Sequence, residues 1–169
     1  MSADLQTRLS SIQGLVLDVD GVLTDGQITY TDDGHELKSF HVQDGASLKL
    51  LAEHGVALAI ITGRRSPIVA RRARELGIKH VEQGARSKPD ALANLIEAGF
   101  PSEDLAAIGD DIQDLALQAD NAISVFMTVA NAHPAVLAAA DHVTERRGGD
   151  GVIVEIAELM LRAQNKWPF

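Results

Sequence analysis

Asp18 and Asp20 stand one residue apart in Asp18-Val19-Asp20-Gly21-Val22-Leu23-Thr24, and a second acidic string, Gly109-Asp110-Asp111-Ile112-Gln113-Asp114, lies far downstream. Between them come Thr62-Gly63-Arg64 and Lys88, the lysine directly before Pro89. Carboxylate oxygens suit a hard divalent cation, while a hydroxyl and an ammonium suit the oxygens of a phosphoryl group. The set could bind a hard cation and a phosphate. Such a site must gather positive charge, because a carboxylate near a phosphate meets a repulsion of about 4 kcal/mol per charge pair at ~4 Å and an effective dielectric of ~20. Two such pairs cost roughly 8 kcal/mol, or roughly six decades in rate. Taken singly, each residue has a plainer reading. Asp at a strand end often caps or turns the chain, Thr-Gly is a common turn, a helix-start lysine is usually solvated, and Asp110-Asp111 alone would pass for an N-cap pair. Their placement in the fold decides.

Leu15 to Leu17, Val56 to Ile61, Leu105 to Ile108 and Ala122 to Phe126 are short apolar runs without strict in/out alternation, as in strands buried on both faces of a parallel sheet. Lys79 to Glu82 and His142-Val143 are weaker strand candidates. Between the runs lie helices with readable ends: Ser47 to His54 before Gly55, Pro67 to Leu76 after Ser66 and before Gly77, a helix opened by Pro89 that ends near Gly99, and Val152 to about Gln164. Strands alternating with helices predict an α/β fold with a doubly wound parallel sheet, residues 1–169 forming a single domain. Each chemical string, apart from Lys88 at a helix start, follows a predicted strand directly. That is the carboxyl edge where ligands bind in such folds. Gln27 to His41, with Thr31-Asp32-Asp33-Gly34 in its middle, reads as a small β-hairpin inserted after the first strand.

The chain has 169 residues and a formal net charge of −9, which opposes binding to nucleic acid or an anionic membrane. It has no cysteine, which removes disulfides, thiolate nucleophiles and Cys-ligated metal sites. No apolar run approaches the ~20 residues of a bilayer span, and the first residues lack a basic region followed by an apolar stretch. A soluble cytoplasmic protein is the expectation.

The order Asp-x-Asp-Gly-Val-x-Thr, Thr-Gly-Arg, Lys, Gly-Asp-Asp-x-x-Asp resembles the phosphatases of the haloacid dehalogenase superfamily, over the stretch from about Gly14 to Leu161. The longer strings Asp18 to Gly26, Phe40-His41-Val42-Gln43-Asp44-Gly45, Ile60 to Arg64, Ala132-His133-Pro134 and Gly148-Gly149-Asp150-Gly151 are similar to the 3-deoxy-D-manno-octulosonate 8-phosphate phosphatase family of lipopolysaccharide biosynthesis. The resemblance implies Mg²⁺-dependent hydrolysis of that sugar-acid phosphate, with a nonulosonate 9-phosphate as the competing substrate. It implies Asp18 as the nucleophile that forms an aspartyl-phosphate and Asp20 as acid and base. It places Mg²⁺ on Asp18, Asp110 and the carbonyl of Asp20, and Thr62 and Lys88 on the phosphoryl oxygens. Asp111 is expected to orient Lys88 or a bound water, with Asp114 beside it. Response-regulator receiver domains combine similar residues, but their phosphorylated Asp lies on a later strand. Here Val56 to Ile61 leads into Thr62, and the next candidate strand ends near Glu82.

Only 37 residues separate Thr24 from Thr62 and 25 separate Thr62 from Lys88, so neither gap holds a cap domain. A neighbouring subunit is expected to wall the site, with hairpins of several protomers pairing into a barrel, since an isolated hairpin is marginal; the resemblance implies a homotetramer. Thr62, Gly63 and Arg64 are the first candidates for substrate binding, Arg64 as a bidentate partner for the sugar acid's carboxylate. Gln43, Asp44 and Gly45 either meet its hydroxyls or start the next helix. Arg86, His41 and His133 are further candidates, and Arg65 is expected to be solvated. Two features depart from the family pattern: Asn131 where Asp is expected, and a slightly long stretch over 118–128. The tail from Gln164 to Phe169 is also short.

Overall fold

The computed structural model of the protein describes residues 2–169. Six parallel strands form one sheet: β1 (Gly14–Leu17), β4 (Ala57–Thr62), β5 (His80–Gln83), β6 (Leu105–Ile108), β7 (Ile123–Thr128) and β8 (His142–Val143), in the spatial order β5-β4-β1-β6-β7-β8. The helices are α1 (Ala3–Ser10), α2 (Val42–Glu53), α3 (Pro67–Leu76), α4 (Lys88–Glu97), α5 (Leu115–Gln118), α6 (Pro134–Ala139) and α7 (Val152–Ala163). Right-handed crossovers put α2 and α3 on one face and α4 and α5 on the other. The packing agrees: α2 lies against α7 and α3, α1 against α7, and α4 against α5. β1 sits at the centre with all four residues buried, which accounts for a run that shows no alternation. Leu15, Leu17, Ile60, Ile61, Leu105, Ile108 and Phe126 are fully buried.

The hairpin forms around the turn that the sequence predicts. β2 (Thr29–Tyr30) pairs antiparallel with β3 (Glu36–Leu37), and Gly34 closes the turn at φ 85°. Between β1 and β4 the chain adds only this hairpin and α2, and between β4 and α4 only α3 and β5. No cap domain stands in either gap.

Three details differ from the sequence reading. α2 starts at Val42 rather than Ser47, so Gln43, Asp44 and Gly45 start that helix, the second of the two roles open to them. α1 was not expected; only Leu5 and Leu9 of its eight residues are buried, too few to mark a periodic face. A bulge in β7 was not expected: Leu105 pairs with Ile123 but Ala106 with Val125, so Ser124 is left over. The tail folds back to the amino edge of the sheet. There Gln164 Nε2 donates to the carbonyl of Ile12 at 2.9 Å and Lys166 Nζ to that of His54 at 3.0 Å.

Candidate active site

β1 is flanked by β4 and β6, and Leu17 pairs with both Ile60 and Ile108. The chain turns opposite ways on the two sides of β1, so the loops leaving β1, β4 and β6 open onto one crevice. Asp18 follows β1, its amide bonded to the carbonyl of Ile108 at 3.0 Å, Thr62 ends β4, and Asp110 leaves β6. Lys88 is the first residue of α4, after Ser87, whose hydroxyl caps the helix by accepting from the amide of Asp90. Asp114 ends a single 3₁₀ turn, Ile112–Asp114. Together these residues line a cleft of about 160 Å³ with Asp20, Gly63, Arg64, Asp111 and Gln113.

The floor of the cleft is ionic. Lys88 Nζ donates to Asp18 Oδ1 at 2.7 Å and to Asp114 Oδ1, and all three side chains are buried. Asp114 Oδ2 accepts from the amides of Asp110 and Asp111, both at 3.0 Å. Both Asp114 oxygens are thus engaged, and its carboxylate is an anchor rather than a free ligand. The partner expected for Lys88, Asp111, is instead exposed and caps the 3₁₀ turn by accepting from Ile112 N at 2.7 Å. The physical reason is the turn itself, which swings position 111 outward and brings 114 back over the sheet.

Carboxylate oxygens of Asp18, Asp110 and Asp114 all lie within 4.8 Å of one another. Three carboxylates against one ammonium leave two negative charges uncompensated. Burial, then the neighbouring carboxylates, push the Asp110 carboxyl up to about 7. Burial also pushes Asp18 up, to about 6, although Lys88 pulls it back. Burial would lower Lys88, but Asp18 and Asp114 outweigh it and hold the ammonium above its ordinary value. Asp110 Oδ1 is buried with no protein partner. An orphaned buried oxygen beside a second carboxylate, in a pocket two charges short, fits a hard divalent cation. The first loop is shaped for this approach: Gly21 has φ 102°, and a Cβ there would lie 2.1 Å from Asp110 Oδ2.

Thr62 is 2% exposed, and its hydroxyl accepts from the amide of Arg64 at 3.3 Å. Arg64 reaches away from the floor: its Nη2 donates to Glu36 Oε1 at 2.8 Å and to Tyr30 Oη at 3.4 Å, both on the hairpin. Asp20 faces the cleft with Lys38 Nζ on its Oδ1, while its Oδ2 is buried and unpartnered. Thr24 braces the same loop, accepting from the amides of Gly21 and Gly26, both at 3.3 Å. Asn131 Oδ1 accepts from Gly148 N at 2.8 Å, and a Cβ on Gly148 would fall 1.7 Å from the Gly21 carbonyl oxygen. An amide oxygen serves at position 131 as well as a carboxylate would.

Six of the residues expected at the substrate, Asp44, Gly45, Gln43, Arg86, His41 and His133, do not line the cleft. Asp44 is buried and its Oδ1 accepts from Ile153 N at 2.8 Å, which docks the start of α7. Gly45 is packed so closely that a Cβ would meet Arg72 Nη2 at 2.3 Å. Gln43 and Arg86 are exposed. The first three were drawn into the site by their place at the hairpin exit; the helix they begin turns Asp44 toward α7 and Gly45 toward α3 and leaves Gln43 at the surface. His133 caps α6 through Nδ1, which accepts from Ala135 N at 3.1 Å. Lys38 and Gln113 escaped the sequence reading. Lys38 had a signal: Glu36-Leu37-Lys38 alternates, and a hairpin strand turns such a pair of charges to one face.

Residues 80–156 match the haloacid dehalogenase-like hydrolase family. The chain is 40% identical over 167 residues to 3-deoxy-D-manno-octulosonate 8-phosphate phosphatase KdsC of Escherichia coli, covering 98% of this chain and 88% of that one. The crystal structure of 3-deoxy-D-manno-octulosonate 8-phosphate phosphatase from Yersinia pestis superposes with a TM-score of 0.93 at 39% identity, over 98% of this chain and 89% of that one. The Moraxella catarrhalis phosphatase of the same name, a complex with magnesium ion, phosphate ion and KDO, superposes with a TM-score of 0.90 at 42% identity, over 98% and 94% of the two chains.

Proposed function

This chain belongs to the 3-deoxy-D-manno-octulosonate 8-phosphate phosphatases, within the haloacid dehalogenase-like hydrolases, and we propose that it hydrolyses that sugar-acid phosphate to the free sugar acid and inorganic phosphate, a step in lipopolysaccharide biosynthesis. The reading rests above all on Asp110 Oδ1, a buried oxygen with no protein partner, in an acidic cluster that Lys88 neutralises only in part.

Asp18, Asp110 and the main-chain carbonyl of Asp20 would hold Mg²⁺, which supplies two positive charges against the repulsion between Asp18 and the phosphoryl group. Asp18 attacks phosphorus, and an aspartyl-phosphate forms. Lys88, kept charged by its two carboxylates, neutralises a phosphoryl oxygen while Asp114 fixes its position. Thr62 donates its hydroxyl to a second oxygen, and Gly63 with Arg64 borders the anion. Asp20 gives its proton to the departing sugar oxygen. It then takes one from the water that hydrolyses the aspartyl-phosphate.

A cleft of about 160 Å³ is smaller than the ~300–1,000 Å³ typical of small-molecule pockets, so the sugar acid extends beyond it. Ile28, Tyr30 and Leu37 stand 50–62% exposed on the hairpin. We infer that hairpins of four copies cover these side chains in a homotetramer whose neighbouring subunits complete each pocket. Such a phosphorylated sugar acid does not cross a bilayer unaided, which favours work in the cytoplasm.

The test is a phosphate-release screen over eight- and nine-carbon sugar-acid phosphates, with and without Mg²⁺, alongside the mass in solution. Preferred release from the eight-carbon substrate with Mg²⁺ by a tetramer is expected. Preference for a nine-carbon phosphate, or release unaffected by chelator, would overturn the assignment, and a fully active monomer would overturn the assembly.

A further inference from the structure

Lys38 is the hairpin's one lysine, and its side chain is only 2% exposed. A buried ammonium is costly unless paired. Its Nζ donates to Asp20 Oδ1 and lies 3.6 Å from Glu36 Oε1, and Glu36 in turn holds Arg64 Nη2 at 2.8 Å. Four charges, Asp20, Lys38, Glu36 and Arg64, therefore run in alternating sign between the cleft and the hairpin. The strand's alternation presents Glu36 and Lys38 inward and leaves Leu37 52% exposed.

An ammonium has three donors and no acceptor, so Asp20 Oδ1 is held as an acceptor. Asp20 Oδ2, buried and without a protein partner, is the oxygen left to exchange a proton. We propose that Lys38 is a positioning residue: it fixes the rotation of the Asp20 carboxylate so that Oδ2 meets the leaving oxygen of the substrate. This rests on the assignment of Asp20 as acid and base. In the step concerned, an Asp18 oxygen bonds to phosphorus and the ester P–O bond breaks. Its electron pair goes to the sugar oxygen, which takes the proton from Asp20 Oδ2.

Leaving-group dependence tests the proposal. 4-Nitrophenolate departs without a proton, so kcat/KM for 4-nitrophenyl phosphate reports phosphoryl transfer to Asp18 without the acid. With Lys38→Met, kcat/KM for the sugar-acid phosphate is expected to fall about 10- to 100-fold through kcat, a share of the ~10²–10⁴ that a positioned acid contributes, while the aryl phosphate changes less than about threefold. Lys38→Arg keeps a donor on Oδ1 and should recover most of the loss. Asp20→Asn should show the same selectivity, more strongly. Equal loss on both substrates, or loss on neither, overturns the role of Lys38. If Asp20→Asn is selective and Lys38→Met is not, the positioning role alone fails. If Asp20→Asn shows no selectivity, the assignment of Asp20 falls and the proposal with it.

Discussion

Asp18 and Asp110 carry protons to unusually high pH because burial strips them of water and other carboxylates stand close by. The sign of the resulting pH dependence is definite. Without metal, the folded chain holds protons that the unfolded chain releases, so these groups stabilise most in acid, and that contribution is lost as pH rises through about 6 and about 7. A divalent cation competes with the same protons, so its affinity should climb over that window. Urea midpoints of the metal-free protein at about pH 5 and about pH 8, with Mg²⁺ titrations at each, check both slopes; a metal affinity that does not rise with pH would contradict the reading. Lys88→Ala removes the one cation among these carboxylates. It should cost about 3–5 kcal/mol in the metal-free protein near neutral pH, by urea unfolding, and lower turnover on the order of 10³-fold. The sequence pointed to the residues of this cluster, because Asp and Lys in this order have few other uses. It did not separate Asp111 from Asp114, since the 3₁₀ turn decides which carboxylate swings back to Lys88 and no spacing rule announces it.

Short apolar strands and the glycines and prolines that bound the helices are local signals, and they placed β1, β4 and β6 within a residue. The start of α2 was hidden because His41 makes no side-chain cap and a glycine sits in the first turn. The fit between loops is a matter of tertiary contact, and no single stretch of sequence shows it. The loop after β1 lies against Asp110 on one side and Gly148 on the other. Gly21→Ala should therefore separate that loop from Asp110 and weaken Mg²⁺ binding about 10- to 100-fold, measured calorimetrically, with the sheet intact by circular dichroism. Unchanged affinity would show that the loop does not shape the cation site. Asn131→Ala leaves the Gly148 amide without its acceptor and should cost about 1–3 kcal/mol, whereas Asn131→Asp should be close to neutral; thermal unfolding of the pair distinguishes them.

At the scale of the whole molecule, a six-stranded sheet turns strings far apart in the chain into neighbours, because β1 lies between β4 and β6 and the strands all point the same way. The small domain ends in an open cleft, with no cap domain between the strands that carry the site. Hairpin and core are tied together through Lys38 and Arg64, so the insertion belongs to the site as much as to any assembly. The tail, anchored at the opposite edge of the sheet, takes no part in this cleft. The most direct test of covalent phosphoryl transfer at Asp18 is to quench the enzyme during turnover, reduce it with borohydride and map its peptides by mass spectrometry. Homoserine at position 18, formed only with substrate and Mg²⁺ together, is the predicted result. An unmodified Asp18, or reduction at Asp110 instead, would contradict it.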